Sequence, residues 1–229
     1  MKTAFMHGVR FAVFVLALGQ PSVAQEWFLL FPKDGVPEGW VVRAWNDVSQ
    51  PPNNSVVWRV ERGVLQGGEP RGTWLMSEKE YGDFSIEYEF KLGETGNSGL
   101  ALRAPMKGDP AFDGIELQMA DFRYNPQAKN SELTGGIYRA VAPTRQVYKP
   151  TEWNQCHVTV RSQHLKVVLN GETIQDINLE EQNQEVRRHD GTLAPPVRAR
   201  PQKGHIGFQE LSRGGDHVQI RGARIKVFE

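Results

Sequence analysis

Cysteine is nearly missing from this chain. Its 229 residues include only Cys156, so no intrachain disulfide can form and packing alone must hold the fold. A catalytic thiol would want a base partner, and His157 is adjacent. Neighbours on a strand point to opposite faces, so Cys156 is expected to be a small buried apolar residue. A surplus of either charge is also missing, since 27 Lys and Arg balance 27 Asp and Glu. Nucleic-acid binding needs excess cations to displace counterions, and a peripheral membrane protein needs a basic face, so neither partner is expected. With 39% hydrophobic and 24% charged residues, disorder is not indicated.

Metal and nucleotide motifs are lacking too. The six His residues are scattered at positions 7, 157, 164, 189, 205 and 217, with no HExxH or CxxC spacing. No Gly-rich phosphate loop and no Gly-x-Ser-x-Gly elbow is present. No cofactor is therefore expected. A divalent cation such as Ca²⁺ can still be held by carboxylates and carbonyls, which leave little linear trace. No apolar run is long enough for a permanent membrane anchor. The run at 11–18 follows a mildly basic start (Lys2, His7, Arg10) and precedes the small residues Ser22-Val23-Ala24. That pattern is an export signal, with cleavage expected before Gln25; its rival is a buried N-terminal strand. No Cys follows closely, so no lipid anchor is expected. The expectation is a signal over 1–24 and one domain over 25–229, secreted or periplasmic and free of the membrane once cleaved. Its oligomeric state is left open.

Helical periodicity is almost absent after the signal, and alternation of period two is common. Residues 83–92 place Phe84, Ile86, Tyr88 and Phe90 on one face and Ser85, Glu87, Glu89 and Lys91 on the other. Further strands are expected at 56–60, 64–65, 98–104, 114–119, 136–141, 157–162, 165–169, 172–177, 205–209 and 218–228. Asn170-Gly171 is a strong hairpin signal, because both residues tolerate positive φ. Many strands with Gly and Pro turns point to an all-β, two-sheet antiparallel β-sandwich or jelly roll. One polar, Pro-containing stretch, 180–203, is irregular; a loop this long is either functional or loosely ordered.

Several segments, read in order, resemble the 3-keto-disaccharide hydrolase family. They are Gly39-Trp40, then Trp58-Arg59-Val60 with Gly63-Val64-Leu65, then TWLMSEKEYGDF at 73–84. Asn97-Ser98-Gly99 with Leu102-Arg103-Ala104-Pro105 follow, then 114–118 with Asp121, then Thr134-Gly135 with Tyr138. Trp153-Asn154, Asn170-Gly171 and 200–209 complete the set. The resemblance spans about 28–229 and rests on order and spacing. It implies a concanavalin A-like jelly roll and cleavage of glycosides already oxidised to a ketone at C3. Family members often carry His-Gly soon after the Gln that aligns with Gln209; here that stretch is Gln209-Glu210-Leu211-Ser212, and the departure leaves open a different substrate, a role for His217, or loss of activity.

Such chemistry needs a base near C2, a donor for the enolate oxygen and an acid near the glycosidic oxygen. Glu116 and Gln118 share one face of their strand, with Ile115, Leu117 and Met119 on the other. Gly99, Ala101 and Arg103 share a face on the strand expected to pair with it. Arg103 would then lie near Glu116, with Ala101 leaving room for a sugar. Asp121 ends the strand. The catalytic candidates are Glu116, Arg103 and Asp121; the substrate-binding candidates are Gln118, Asn97, Tyr138, Gln209 and His157. Tyr138, and Trp153 or Trp74, can stack on a sugar ring. Several have a structural alternative: an ion pair for Glu116 and Arg103, a turn cap for Asp121, a turn for Asn97, a solvated face for His157, and core packing for Trp153, as for Trp40 and Trp58. The carbohydrate partner can equally be held without cleavage by a lectin-like module on the same fold. A deep pocket holding a carboxylate beside Arg favours the enzyme, and a shallow aromatic groove favours the lectin.

Overall fold

The computed structural model describes residues 26–228; the expected signal segment lies outside them. The strands in chain order are β1 (Phe28–Leu29), β2 (Trp40–Ala44), β3 (Arg59–Glu61), β4 (Val64–Gln66), β5 (Thr73–Tyr81), β6 (Phe84–Lys91), β7 (Asn97–Ala104), β8 (Ile115–Ala120), β9 (Asn154–Arg161), β10 (His164–Leu169), β11 (Glu172–Asn178), β12 (Val186–Arg187), β13 (Leu193–Ala194), β14 (Gly204–Glu210) and β15 (Gln219–Val227). One short helix, α1 (Pro110–Asp113), joins β7 to β8. One sheet has the order β11-β10-β9-β6-β15-β4-β3, with β1 added against β15, and the other has the order β2-β5-β14-β7-β8. All registered pairs are antiparallel. The architecture is the two-sheet jelly roll that the alternation and the resemblance implied.

The larger sheet follows its pattern closely. Phe84, Ile86, Tyr88 and Phe90 are buried, as are Val158, Val160, Leu165 and Val167 on neighbouring strands. They pack on Leu100, Leu102, Ile115, Leu117 and Phe208 from the smaller sheet. Cys156 sits in this core, and burial pushes its thiol up to about 12, which keeps it protonated and unreactive. The Asn170-Gly171 turn joins β10 to β11 with φ of 52° and 85°, as a tight hairpin requires.

The smaller sheet behaves differently. Every residue of β7 and β8 is buried, on both faces. Loops cover the face that points away from the core, so that face is the floor of a cavity instead of an outer surface. Two of the covering segments depart from the sequence expectations. The strand expected at 136–141 is a tight turn, in which Ile137 bridges both Leu117 and Val141. Gly135 at φ 88° and Arg139 at φ 57° turn the backbone out of extension there. The irregular stretch 180–203 is ordered around the β12–β13 hairpin and two short 3₁₀ turns.

Candidate active site

β7 and β8 pair in the register Asn97↔Ala120, Gly99↔Gln118 and Ala101↔Glu116. Directly opposed residues share a face, so Asn97, Gln118 and Glu116 all rise from the floor of one cavity. Gln209 joins them from β14, and Tyr138 and Asp121 from the adjoining loops. The cavity has a volume of about 420 Å³, within the usual range for a small-molecule site. Six of the eight sequence candidates therefore converge.

Glu116 is the unusual group among them. It is 2% exposed, and its Oε1 atom has no hydrogen-bond partner. Burial pushes its carboxyl well above the ordinary carboxylate range, the nearby Asp109 carboxyl pushes it further, and Arg200 only partly opposes both. Burial therefore favours the protonated form of Glu116. Glycine at 99 makes the arrangement sterically possible, because a Cβ there would overlap the Glu116 carboxyl. Asp109 caps α1, accepting from the Ala111 amide at 3.0 Å, and burial raises its pKa to about 6. Arg200 donates through Nη1 to the Gly114 carbonyl at 2.9 Å, and its buried Nη2 has no partner. Desolvation lowers its pKa to about 10.

Asp121 lines the same cavity but is saturated. Its oxygens accept from the Arg123 amide (2.9 Å), Nε (2.7 Å) and Nη2 (2.7 Å) and from the Tyr148 hydroxyl (3.1 Å). Those bonds hold its pKa below the ordinary value against the desolvation that would raise it. A carboxylate so engaged anchors the cavity wall and is a poor base. The amides are less committed. Gln118 uses Oε1 to accept from the Met119 amide at 3.0 Å, and the buried Oδ1 of Asn97 has no partner.

Two candidates lie elsewhere. Arg103 does not face Glu116. Its φ of 50° breaks the alternation at the end of β7 and sends the guanidinium to the opposite side. There it donates to the Gly82 carbonyl (2.7 Å), the Ser162 carbonyl (2.8 Å) and Asp83 Oδ1 (2.8 Å), stapling the β5–β6 turn, which joins the two sheets, to the β9–β10 turn. His157 sits on β9 in that larger sheet, 3.6 Å from Glu87 and edge-on to Trp27. The platform tryptophans also differ from expectation. Trp74 is fully buried, and Trp153 lies under the Arg221 guanidinium. His217 contacts Glu69 at 3.1 Å and Glu210 at 3.6 Å and is not part of the cavity wall.

Sequence reasoning missed Trp45, Asp109, Arg71 and His189, all of which line the cavity. His189 lies among the rings of Phe112 (5.3 Å), Trp45 (5.8 Å) and Tyr138 (5.9 Å). Desolvation first, and then Arg139, lower its pKa, so the imidazole is neutral at neutral pH. The only linear signal for His189 was its place in the long 180–203 loop. Among the described residues, no three His, Cys, Asp or Glu side chains converge as a metal-binding group.

Comparison with known proteins gives the family of the chain. A family model described as a 3-keto-alpha-glucoside-1,2-lyase-like domain matches residues 26–226. A 3-keto-disaccharide hydrolase of Bacteroides thetaiotaomicron is 24% identical over 209 residues, covering 75% of this chain and 70% of the relative. Two crystal structures of candidate glycosyl hydrolases from Parabacteroides distasonis are also similar. The first has a TM-score of 0.70 at 25% identity, covering 89% of this chain and 100% of that one. The second has a TM-score of 0.66 at 26% identity, covering 89% and 94%.

Proposed function

We propose a function for this chain, which belongs to the 3-keto-alpha-glucoside-1,2-lyase-like family, as an exported carbohydrate-active enzyme that breaks the glycosidic bond beside a sugar ring oxidised to a ketone at C3. The names of its relatives support a glycosyl hydrolase-like activity. The observation that carries the finer assignment is Glu116, a buried carboxyl with an unpartnered oxygen in a polar cavity, whose burial favours the protonated form. A shallow lectin groove has no need of such a group, and burying it is costly unless it is used.

The ketone acidifies the proton on C2. A base takes that proton, and the electron pair moves into the enolate. The C1–O bond then breaks and the departing oxygen takes a proton from Glu116; water adds to C1, giving its proton to Glu116, while the base returns the first proton to C2. The base must be unprotonated at neutral pH and free to reach the substrate. His189 meets both conditions, being neutral and on the cavity wall. Asp109 couples to Glu116 and helps to keep it protonated. The carboxamides of Asn97, Gln118 and Gln209 are placed to donate to the enolate oxygen and to sugar hydroxyls.

Incubation with a 3-keto-disaccharide should release free sugar, while the unoxidised disaccharide stays intact. Glu116→Gln should lower turnover by roughly 10²-fold or more with the fold retained. The profile of kcat/KM should rise with pH as His189 loses its proton, below the ordinary histidine pKa. It should fall again as Glu116 ionises, well above the ordinary carboxylate range. Absence of sugar release from the oxidised substrate would overturn this function.

A further inference from the structure

A second cavity, of about 480 Å³, adjoins the first and shares Trp45, Arg71 and Gly72 with it as a common wall. Its lining is rich in carboxamides: Asn46, Gln50, Asn53 and Asn54. Each presents two donors and an acceptor, the complement of a sugar's hydroxyl groups. Gln50 is turned to Ser49 at 3.0 Å, and the neighbouring Asp47 accepts from the amides of Ser49 (3.0 Å) and Gly108 (2.9 Å). Asn46, Asn53 and Asn54 remain as exposed amides around the rim.

The partition between the cavities is held firmly. The Trp45 amide donates to the Gly72 carbonyl at 3.1 Å, and the Trp45 carbonyl accepts from Trp74 Nε1 at 3.0 Å. Gly72, at φ 105°, lets the backbone pack against the indole, since a Cβ there would stand 3.2 Å from its Cδ1 atom. Trp45 therefore offers an anchored aromatic surface, with His189 at its edge on the catalytic side. Arg71 is fixed by donating to the Tyr124 hydroxyl at 2.8 Å.

We propose that this second cavity is the subsite for the leaving saccharide, so that the enzyme acts on sugar-linked substrates in preference to glycosides of small aglycones. The inference rests on the function proposed above. Breaking a glycoside yields two parts, and the oxidised ring occupies the cavity that holds Glu116. The other part leaves across the Trp45–Arg71 wall into a chamber of comparable volume whose polar groups suit another sugar.

The test compares a 3-keto-glucoside of 4-nitrophenol with a 3-keto-disaccharide and a 3-keto-trisaccharide, using wild type and the double variant Asn53→Ala/Asn54→Ala. Both asparagines are exposed, so the variant should fold. It should raise KM for the two saccharides roughly five- to tenfold, the value of one or two lost hydrogen bonds, with little change in kcat. The aryl glycoside should be unaffected. Equal effects on all three substrates, or none on any, overturn the subsite. A binding arm by calorimetry uses the unoxidised trisaccharide and the free monosaccharide and needs no catalysis. Wild type should hold the trisaccharide more tightly, and the variant should lose that gain. If wild type cleaves none of the substrates, the proposed function falls, and the binding arm alone decides the subsite. Equal affinity of wild type and variant for the trisaccharide would overturn it.

Discussion

Glu116 shows how a single side chain acquires chemistry from its place. Its type is ordinary, and its strand neighbours put it on a polar face in the alternation of 114–119. The unusual part is the roof above that face, which removes water and leaves Oε1 without a partner. A buried carboxyl whose pKa is raised in the folded state binds a proton that the unfolded chain has released. Its contribution to stability is fully present below the unfolded pKa and is lost as pH rises through the folded one. Glu116→Gln removes that dependence. The melting temperatures of variant and wild type should nearly coincide at acid pH, and the variant should gain as pH rises. Glu210, also raised by burial, is common to both proteins and cancels in the difference. A difference that stays constant with pH, measured by calorimetry from pH 4 to 9, would show that Glu116 ionises freely. Gly99 is tied to the same carboxyl. Gly99→Ala should push the Glu116 side chain aside and lower turnover by about tenfold or more, with a smaller change in melting temperature. Unchanged kinetics would mean that the carboxyl position is not critical.

At the scale of elements, the end of β7 separates the site from the scaffold. Alternation carried to residue 103 puts Arg103 beside Glu116, and the left-handed backbone there sends it the other way. Arg103 then bridges the turn before β6 and the turn between β9 and β10. Arg103→Met should cost about 3 kcal/mol, the low end for severing a buried pair, because the Asp83 side chain keeps 32% of its exposure. Turnover of the folded fraction should be near normal. Denaturant titration and initial rates test both halves, and lost turnover in a stable protein would return Arg103 to the site. The 180–203 stretch illustrates the opposite case. Its sequence has no regular period, yet it supplies His189 and Arg200. Their positions follow from where the β12–β13 hairpin and the 3₁₀ turns dock.

For the whole molecule, export remains our proposal from the basic start, the apolar run and Ser22-Val23-Ala24. N-terminal sequencing of protein recovered outside the cytoplasm should begin at or near Gln25. Mature protein that retains Met1 would sink the idea. Apart from β1, the large sheet was legible, because one of its faces packs on the core and the other meets solvent, so burial writes itself as period two. Hence Phe84 to Phe90, the Asn170-Gly171 hairpin and β15 were all open to reading from the chain. The strand Thr73–Tyr81 was harder, since its first five residues are all buried and show no alternation. Glu116, Gln118, Asn97, Gln209 and Tyr138 were legible as candidates through strand faces and family resemblance. Trp45, Asp109 and His189 were not, because each enters from a loop whose path no local pattern specifies. The sequence by itself therefore determined most of the alternating strands, the face on which most of their side chains lie, and the single buried thiol. Only the tertiary structure decided which face was roofed, which groups lost their water, and that Arg103 belongs to the scaffold. Those outcomes depend on contacts between residues far apart in the chain, and such contacts leave no period behind.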